Sequence, residues 1–132
     1  ECQTILPRLK TDFMEIIEAC VNKKLKDIKI NWSDEKSLCI VLCSKGYPEN
    51  YEKNLEIKNL KKIIFEKNEF IFHAGTIIKD QKIISSGGRV LNIVVRSNQF
   101  KNSRDKVIEL INKINWENGF YRKDIGYKVI QS

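Results

Sequence analysis

Three short stretches of this 132-residue chain combine residue types that can hold an anion: Ser44-Lys45-Gly46-Tyr47-Pro48, His73-Ala74-Gly75-Thr76 and Ser85-Ser86-Gly87-Gly88-Arg89. Each sets a glycine beside polar or cationic neighbours. Glycine lets the main chain come close to a ligand and turn its N–H groups outward, and Lys45 or Arg89 supplies positive charge for a phosphate or carboxylate oxygen. The same residues also make ordinary β-turns, so spacing alone leaves both readings open.

Other chemistry is less visible. His73 is the single histidine, and at the end of a β-prone run it reads as a hydrogen-bonded structural residue or as a base. No spacing suggests a Ser-His-Asp or Cys-His nucleophile, and neither a Walker loop nor a Gly-x-Gly-x-x-Gly run occurs. The four cysteines, Cys2, Cys20, Cys39 and Cys43, match no zinc or redox spacing and read as buried free thiols. Tyr47 and Tyr51 beside Lys45 and Lys53, and Tyr121 beside Arg122 and Lys123, offer base-stacking platforms or, alternatively, half-buried rings on a solvated face.

These loops need strands to hold them. Leu38-Cys39-Ile40-Val41-Leu42-Cys43 and Arg89–Arg96 are β-prone and read as strong strands, the first of them central. Ile63–Phe65 and Phe70–Phe72 read as shorter strands, and Thr76–Ile78 with Lys82–Ile84 as a hairpin about Lys79-Asp80-Gln81. Ile125–Ile130 has room for a last strand. Apolar residues recur at three and four from Ile5 to about Lys24, predicting a helix capped by Thr4 with Pro7 in its first turn. A second stripe, Val107, Ile108, Leu110, Ile111 and Ile114, predicts a helix from near Gln99 to Asn115 capped by Asn98. Strands in succession with helices at the ends give an α+β fold, a mainly antiparallel sheet with helices packed on it.

Composition sets the outer bounds. With 42% hydrophobic and 31% charged residues the chain has the balance of a folded globular protein, long enough for one domain with a real core. No apolar run approaches the roughly 18–20 residues of a membrane span, and the start lacks a basic and an apolar signal region, so the expected location is cytoplasmic. A formal charge of +7 suits a phosphate-bearing partner and keeps a small basic nucleic-acid-binding α+β module as the alternative function.

The loops also carry a family likeness. Glu1-Cys2-Gln3 followed by Leu6-Pro7-Arg8-Leu9-Lys10-Thr11-Asp12, Cys43–Pro48, Tyr51-Glu52-Lys53, Phe72–Thr76, Gly87-Gly88-Arg89-Val90-Leu91 and Tyr121–Gly126 occur in that order. Together they resemble the C-terminal segment of the phosphoribosylamine-glycine ligases, members of the ATP-grasp superfamily. The resemblance runs over essentially the whole chain. Cys2 stands where threonine is usual, Ser86 where asparagine is common and Lys123 where arginine is frequent, and none of these removes a group the chemistry obviously needs.

The resemblance implies a fold, a reaction and partners. In such ligases ATP phosphorylates the carboxylate of glycine, and the amine of 5-phosphoribosylamine attacks the acyl phosphate, giving glycinamide ribonucleotide, ADP and phosphate in purine synthesis. Magnesium or manganese assists, with its ligands just upstream of the Gly-Asp-Pro-Glu motif whose glutamate is Glu1. Residues 1–132 then correspond to the C-terminal domain, with the N-terminal and ATP-grasp domains outside this chain, no metal ligands in this segment and no activity expected of it alone. Its part would be one wall of the site. Lys45, Gly46, Tyr47 and Pro48 would lie near the substrates, and Gly87, Gly88 and Arg89 would meet phosphate. Arg8 would anchor a carboxylate or phosphate, or pack the first helix. Glu1, His73, Thr76 and Asp124 would support loop geometry. Nucleic acid and membrane are not expected partners.

Overall fold

Nine residues of alternating burial form the centre of the fold. In β1, Lys36–Ser44, the side chains of Leu38, Ile40 and Leu42 point into the core while Cys39, Val41 and Cys43 are half-buried on the other face, the period of two that a pleated strand imposes. The computed structural model describes residues 1–131. The remaining elements are α1 (Cys2–Ile5), α2 (Phe13–Val21), β2 (Glu69–His73), β3 (Thr76–Lys79), β4 (Lys82–Ser85), β5 (Arg89–Ser97), α3 (Phe100–Ile114), β6 (Gly119–Phe120) and α4 (Tyr127–Ile130).

β1 pairs antiparallel with β5, setting Leu38 against Val95, Ile40 against Ile93 and Leu42 against Leu91. The sheet order is β2-β5-β1-β6, with β3 and β4 as a separate hairpin. Asp80 and Gln81 both have positive φ at the hairpin's tip, the backbone that a two-residue turn matched to strand twist requires. One face of the four-stranded sheet is covered by α3, whose Val107, Leu110, Ile111 and Ile114 are buried at helical spacing. Ile57, Leu60 and Trp116 complete the cluster. Each such side chain, fully buried, stabilises by roughly 1.5–3 kcal/mol. The fold is α+β with antiparallel sheets, as the element order predicts.

Five expectations are corrected. The helix predicted over Ile5–Lys24 is broken: Leu6–Arg8 is a 3₁₀ turn containing Pro7, Leu9 pairs with Trp32 as an isolated bridge, and a new helix starts at Phe13. Asp12, not Thr4, caps it by accepting a hydrogen bond from the Met14 N–H at 2.7 Å. At α3 the N-cap position falls on Gln99 rather than Asn98, without a side-chain cap. Ile63–Phe65 follows a 3₁₀ turn over Leu60–Lys62 and joins no sheet, because the only strand paired with β5 on that side is β2. Ile125–Ile130 turns helical at its end: Gly126 adopts a φ of 83°, and Arg104 of α3 donates to the carbonyls of Lys123 and Ile125, pinning the tail across the helix instead of along the sheet.

The cysteines divide as well. Cys39 and Cys43 are half-buried as free thiols, but Cys2 and Cys20 are exposed, against the expectation that all four are buried. Both lie before β1, in a segment whose one buried hydrophobic side chain is Ala19.

Candidate functional site

At one end of the sheet the three glycine-bearing loops come together. Ser44 donates from its N–H to the Gly88 carbonyl at 2.8 Å and from its hydroxyl to the Gly87 carbonyl at 2.9 Å. Gly75 donates to the Arg89 carbonyl at 2.9 Å, and Ser86 to the Gly75 carbonyl at 2.8 Å. The glycines are demanded by this packing. A Cβ on Gly75 would sit 2.7 Å from the Arg89 carbonyl oxygen and 2.8 Å from the Gly87 backbone, while one on Gly88 would enter the ring of Tyr47. Gly46 turns with φ of 90°, and the Tyr47–Pro48 peptide is cis.

The knot presents Arg89 outward. Arg89 makes no ion pair or side-chain hydrogen bond among the described residues, and it lines a pocket of about 650 Å³ with Glu1, Gln3, Ala74 and Asn92. Thus the Glu-x-Gln motif at the start of the chain and the Gly-Gly-Arg motif of β5 meet in one cavity. Asn92 is 8% exposed, and its amide makes no hydrogen bond to the described residues while lining that pocket. The amide is not enclosed: its atoms stay open to the cavity, where they are free to meet a polar group. Sequence reading missed Asn92. Its signal is that it is the lone polar residue inside Val90-Leu91-Asn92-Ile93-Val94-Val95.

The remaining candidates are distributed elsewhere. Lys45 lines a separate cleft of about 460 Å³ with Asn50, Tyr51, Glu52 and Asn118. Tyr47 and Pro48 border an apolar hollow with Cys39, Cys43 and Phe120. Arg8 turns away from the cavity: its Nε and a terminal nitrogen donate to the Ser33 carbonyl at 3.3 and 3.0 Å. His73 Nδ1 lies 2.8 Å from the Thr76 hydroxyl and closes the β2–β3 turn. Asp124 pairs through both oxygens with Arg122, at 3.1 and 2.6 Å; that hydrogen bond holds its carboxyl below the usual range and raises the arginine. Tyr47 and Tyr51 pack edge to face at 5.9 Å, with Lys53 over the Tyr51 ring. No three His, Cys, Asp or Glu side chains converge into a metal-binding cluster among the described residues.

What the cavity can do follows from its donors. An exposed guanidinium and an amide open to the cavity, both on strand β5 beside the glycine knot, suit an oxyanion or a polar group beside one. Burial lifts the Cys43 thiol above its ordinary pKa, and Arg89 opposes that shift, so the positive charge of Arg89 is felt across the pairing with β1.

Comparison with known proteins places the chain in a family. The sequence profile described as "Phosphoribosylglycinamide synthetase, C domain" matches residues 37–128. Phosphoribosylamine–glycine ligase from Caldanaerobacter subterraneus is 49% identical over 95% of this chain and 29% of the relative. The trifunctional purine biosynthetic protein adenosine-3 of Gallus gallus is 40% identical over 98% of this chain and 13% of its own length. A crystal structure of phosphoribosylamine–glycine ligase from Thermotoga maritima superimposes with a TM-score of 0.61 at 30% identity, covering 85% of this chain and 28% of that one. The chain therefore spans less than a third of the length of the ligases it matches. With the profile covering most of its length and a relative 49% identical over 95% of it, the chain belongs to the phosphoribosylglycinamide synthetase C-domain family.

Proposed function

We propose that the full-length protein joins glycine to 5-phosphoribosylamine at the expense of ATP, releasing glycinamide ribonucleotide, ADP and phosphate, and that this chain forms one wall of its site. The observation that carries the reading is the cavity shared by Glu1, Gln3, Arg89 and Asn92, in a chain whose relatives bear the name phosphoribosylamine–glycine ligase. Arg89 supplies a guanidinium for a phosphate or carboxylate of the substrates, and Asn92 a hydrogen-bonding amide beside it. Gly87 and Gly88 let the loop come close, and Tyr47, whose ring fills the space over Gly88, positions it. Lys45, Gly46 and Pro48 shape the far side of the same knot.

On this reading ATP and its divalent ion, magnesium or manganese, are held mostly by polypeptide outside residues 1–131. The 132-residue chain is accordingly inactive by itself, and its N-terminal and ATP-grasp partners complete the site in the cytoplasm. Preorganised charge of this kind is worth about a hundredfold in rate when one donor is removed. In the full-length protein, Arg89→Ala should lower glycine- and phosphoribosylamine-dependent ADP release by about that factor with Tm nearly unchanged. Unchanged turnover, or an equally large loss of melting temperature, removes Arg89 from the site. An unaltered full-length protein that releases no ADP with both substrates overturns the ligase reading.

A further inference from the structure

We propose that Cys2 is a modification site: it forms a mixed disulfide with small disulfides that carry carboxylates, whose anionic half Arg89 draws into the cavity on β5. The adduct fills the space over Arg89 and Asn92 and silences the wall they form. The modification rests on the cavity alone, and the silencing rests on the ligase reading as well.

Cys2 is exposed and lines the same cavity of about 650 Å³ as Glu1, Gln3, Arg89 and Asn92, a size within the roughly 300–1,000 Å³ of small-molecule sites. α1 lies against β1 and β5, and the amides of Thr4 and Ile5 donate to the Glu1 carbonyl at 2.9 and 3.1 Å, so a hydrogen-bonded turn holds Cys2 at the cavity. The groups that would meet an anion there are free. Arg89 is exposed and enters no ion pair among the described residues, with Glu1 or any other carboxylate. Asn92 is more than nine-tenths buried, yet its amide is unpaired and open to the cavity. A guanidinium with an amide beside it suits a carboxylate and the polar group next to it. Glu1 lines the same space, so a ligand that adds an ammonium group to its carboxylates, as an amino-acid thiol does, meets both charges.

Two thiols line this cavity, Cys2 and Cys39, and they are not equal nucleophiles. Cys39 is half-buried, and burial above all raises its pKa, which leaves it less thiolate to attack with. The Cys2 thiolate attacks one sulfur of the small disulfide. A new S–S bond forms at Cys2, the old one breaks, and the other half departs as a thiolate that takes up a proton. Cys2 is oxidised and the departing half is reduced, so no further oxidant is needed, and excess thiol reverses the step. Cys20 supplies an internal reference: it is exposed too, but it sits on α2 beside Glu15 and Glu18 and not in this cavity.

Cys2 and Cys20 fall on separate tryptic peptides, since Arg8 and Lys10 lie between them, so mass spectrometry reads both rates in one reaction. With oxidised glutathione at low salt, the 132-residue chain should be modified at Cys2 at least about fivefold faster than at Cys20, because a free positive charge concentrates an anionic reagent around it. With cystamine, which has amines and no carboxylates, the preference should vanish. Glu15 and Glu18 also repel an anion near Cys20, so the ratio is compared across variants. Arg89→Ala should lower it at least about threefold, and Arg89→Lys, which keeps the charge, should retain most of it. The same ratio with both reagents, a ratio untouched by Arg89→Ala, or an adduct found mainly on Cys39 overturns the proposal. In the full-length protein the adduct should remove most ADP release, dithiothreitol should restore it, and Cys2→Ser should make ADP release insensitive to oxidised glutathione. Loss that Cys2→Ser does not prevent, or turnover by protein fully modified at Cys2, overturns the silencing. A full-length protein that releases no ADP before treatment overturns the ligase reading instead, and the labelling ratios then still decide whether Cys2 is the site.

Discussion

Helices α2 and α3 carry similar apolar stripes in the sequence and meet opposite fates. α3 buries Val107, Leu110, Ile111 and Ile114 against β1 and β5, whereas α2 leaves Phe13, Ile17 and Val21 in solvent. Periodicity therefore reports that a face wants burial and says nothing of what provides it. For α3 the cover is in the same domain. For α2 no cover is found among the described residues, and the two helices should respond differently to the same kind of substitution.

The largest effect expected is in the core. Leu110→Ala in the 132-residue chain should cost about 3 kcal/mol in urea denaturation, the usual range for a buried leucine cut to alanine. Ile17→Ala in the same chain should stay within about 0.5 kcal/mol, as for an exposed site. Similar losses at both positions would erase the distinction between the two helices and place α2 in the cooperative unit.

The same contrast separates what the sequence discloses from what it does not. β1, β5, the β3–β4 hairpin and α3 are legible because their local pattern and their final environment agree. The break at Leu9 is not, since it depends on pairing with Trp32 and on Asp12 outcompeting the upstream turns for the cap. The tail after Phe120 reads as a strand until Arg104, distant in sequence, takes its carbonyls. At the site the loops announce themselves, but their meeting with Glu1 and Gln3 is a tertiary fact. Arg8 shows the limit plainly: its residue type suits an anion, and its actual partner is the Ser33 carbonyl, 25 positions away.

A second, smaller effect concerns what fastens α3 to the sheet edge. Lys106 reaches Glu69 on β2 at 3.3 Å, with Glu66 and Glu109 at 3.7 and 3.5 Å, and the Glu69 side chain is 4% exposed. The hydrogen bond with Glu69 is the main cause that raises the Lys106 pKa above its ordinary value. Lys106→Met strands a buried carboxylate and should cost about 1–2 kcal/mol, less than for a fully enclosed pair because the lysine is partly solvated. A lysine raised on folding contributes its stability below the unfolded pKa, about 10.4, and loses it as pH climbs through the higher folded value. The difference between the two proteins should then be level from pH 7 to 9 and shrink as pH rises past the unfolded value and through the higher folded one. A difference that grows with pH would show that the ion pair is not its source.

The finest comparison uses the thiols, two in each region. Cys2 and Cys20 are exposed, while Cys39 and Cys43 lie half-buried on β1, where burial above all raises both pKa values. Only the thiolate reacts, so at pH 8 a disulfide reagent should label two thiols of the 132-residue chain quickly and two at least about tenfold more slowly. Raising the pH should speed the slow pair, because more of each raised thiol is then thiolate. Arg89 opposes the shift at Cys43 and does not figure at Cys39. Arg89→Ala should therefore slow Cys43 and leave Cys39 alone; slowing of both would mean that the substitution had tightened the sheet rather than removed a charge, and would shift Arg89 from the cavity's electrostatics to its packing.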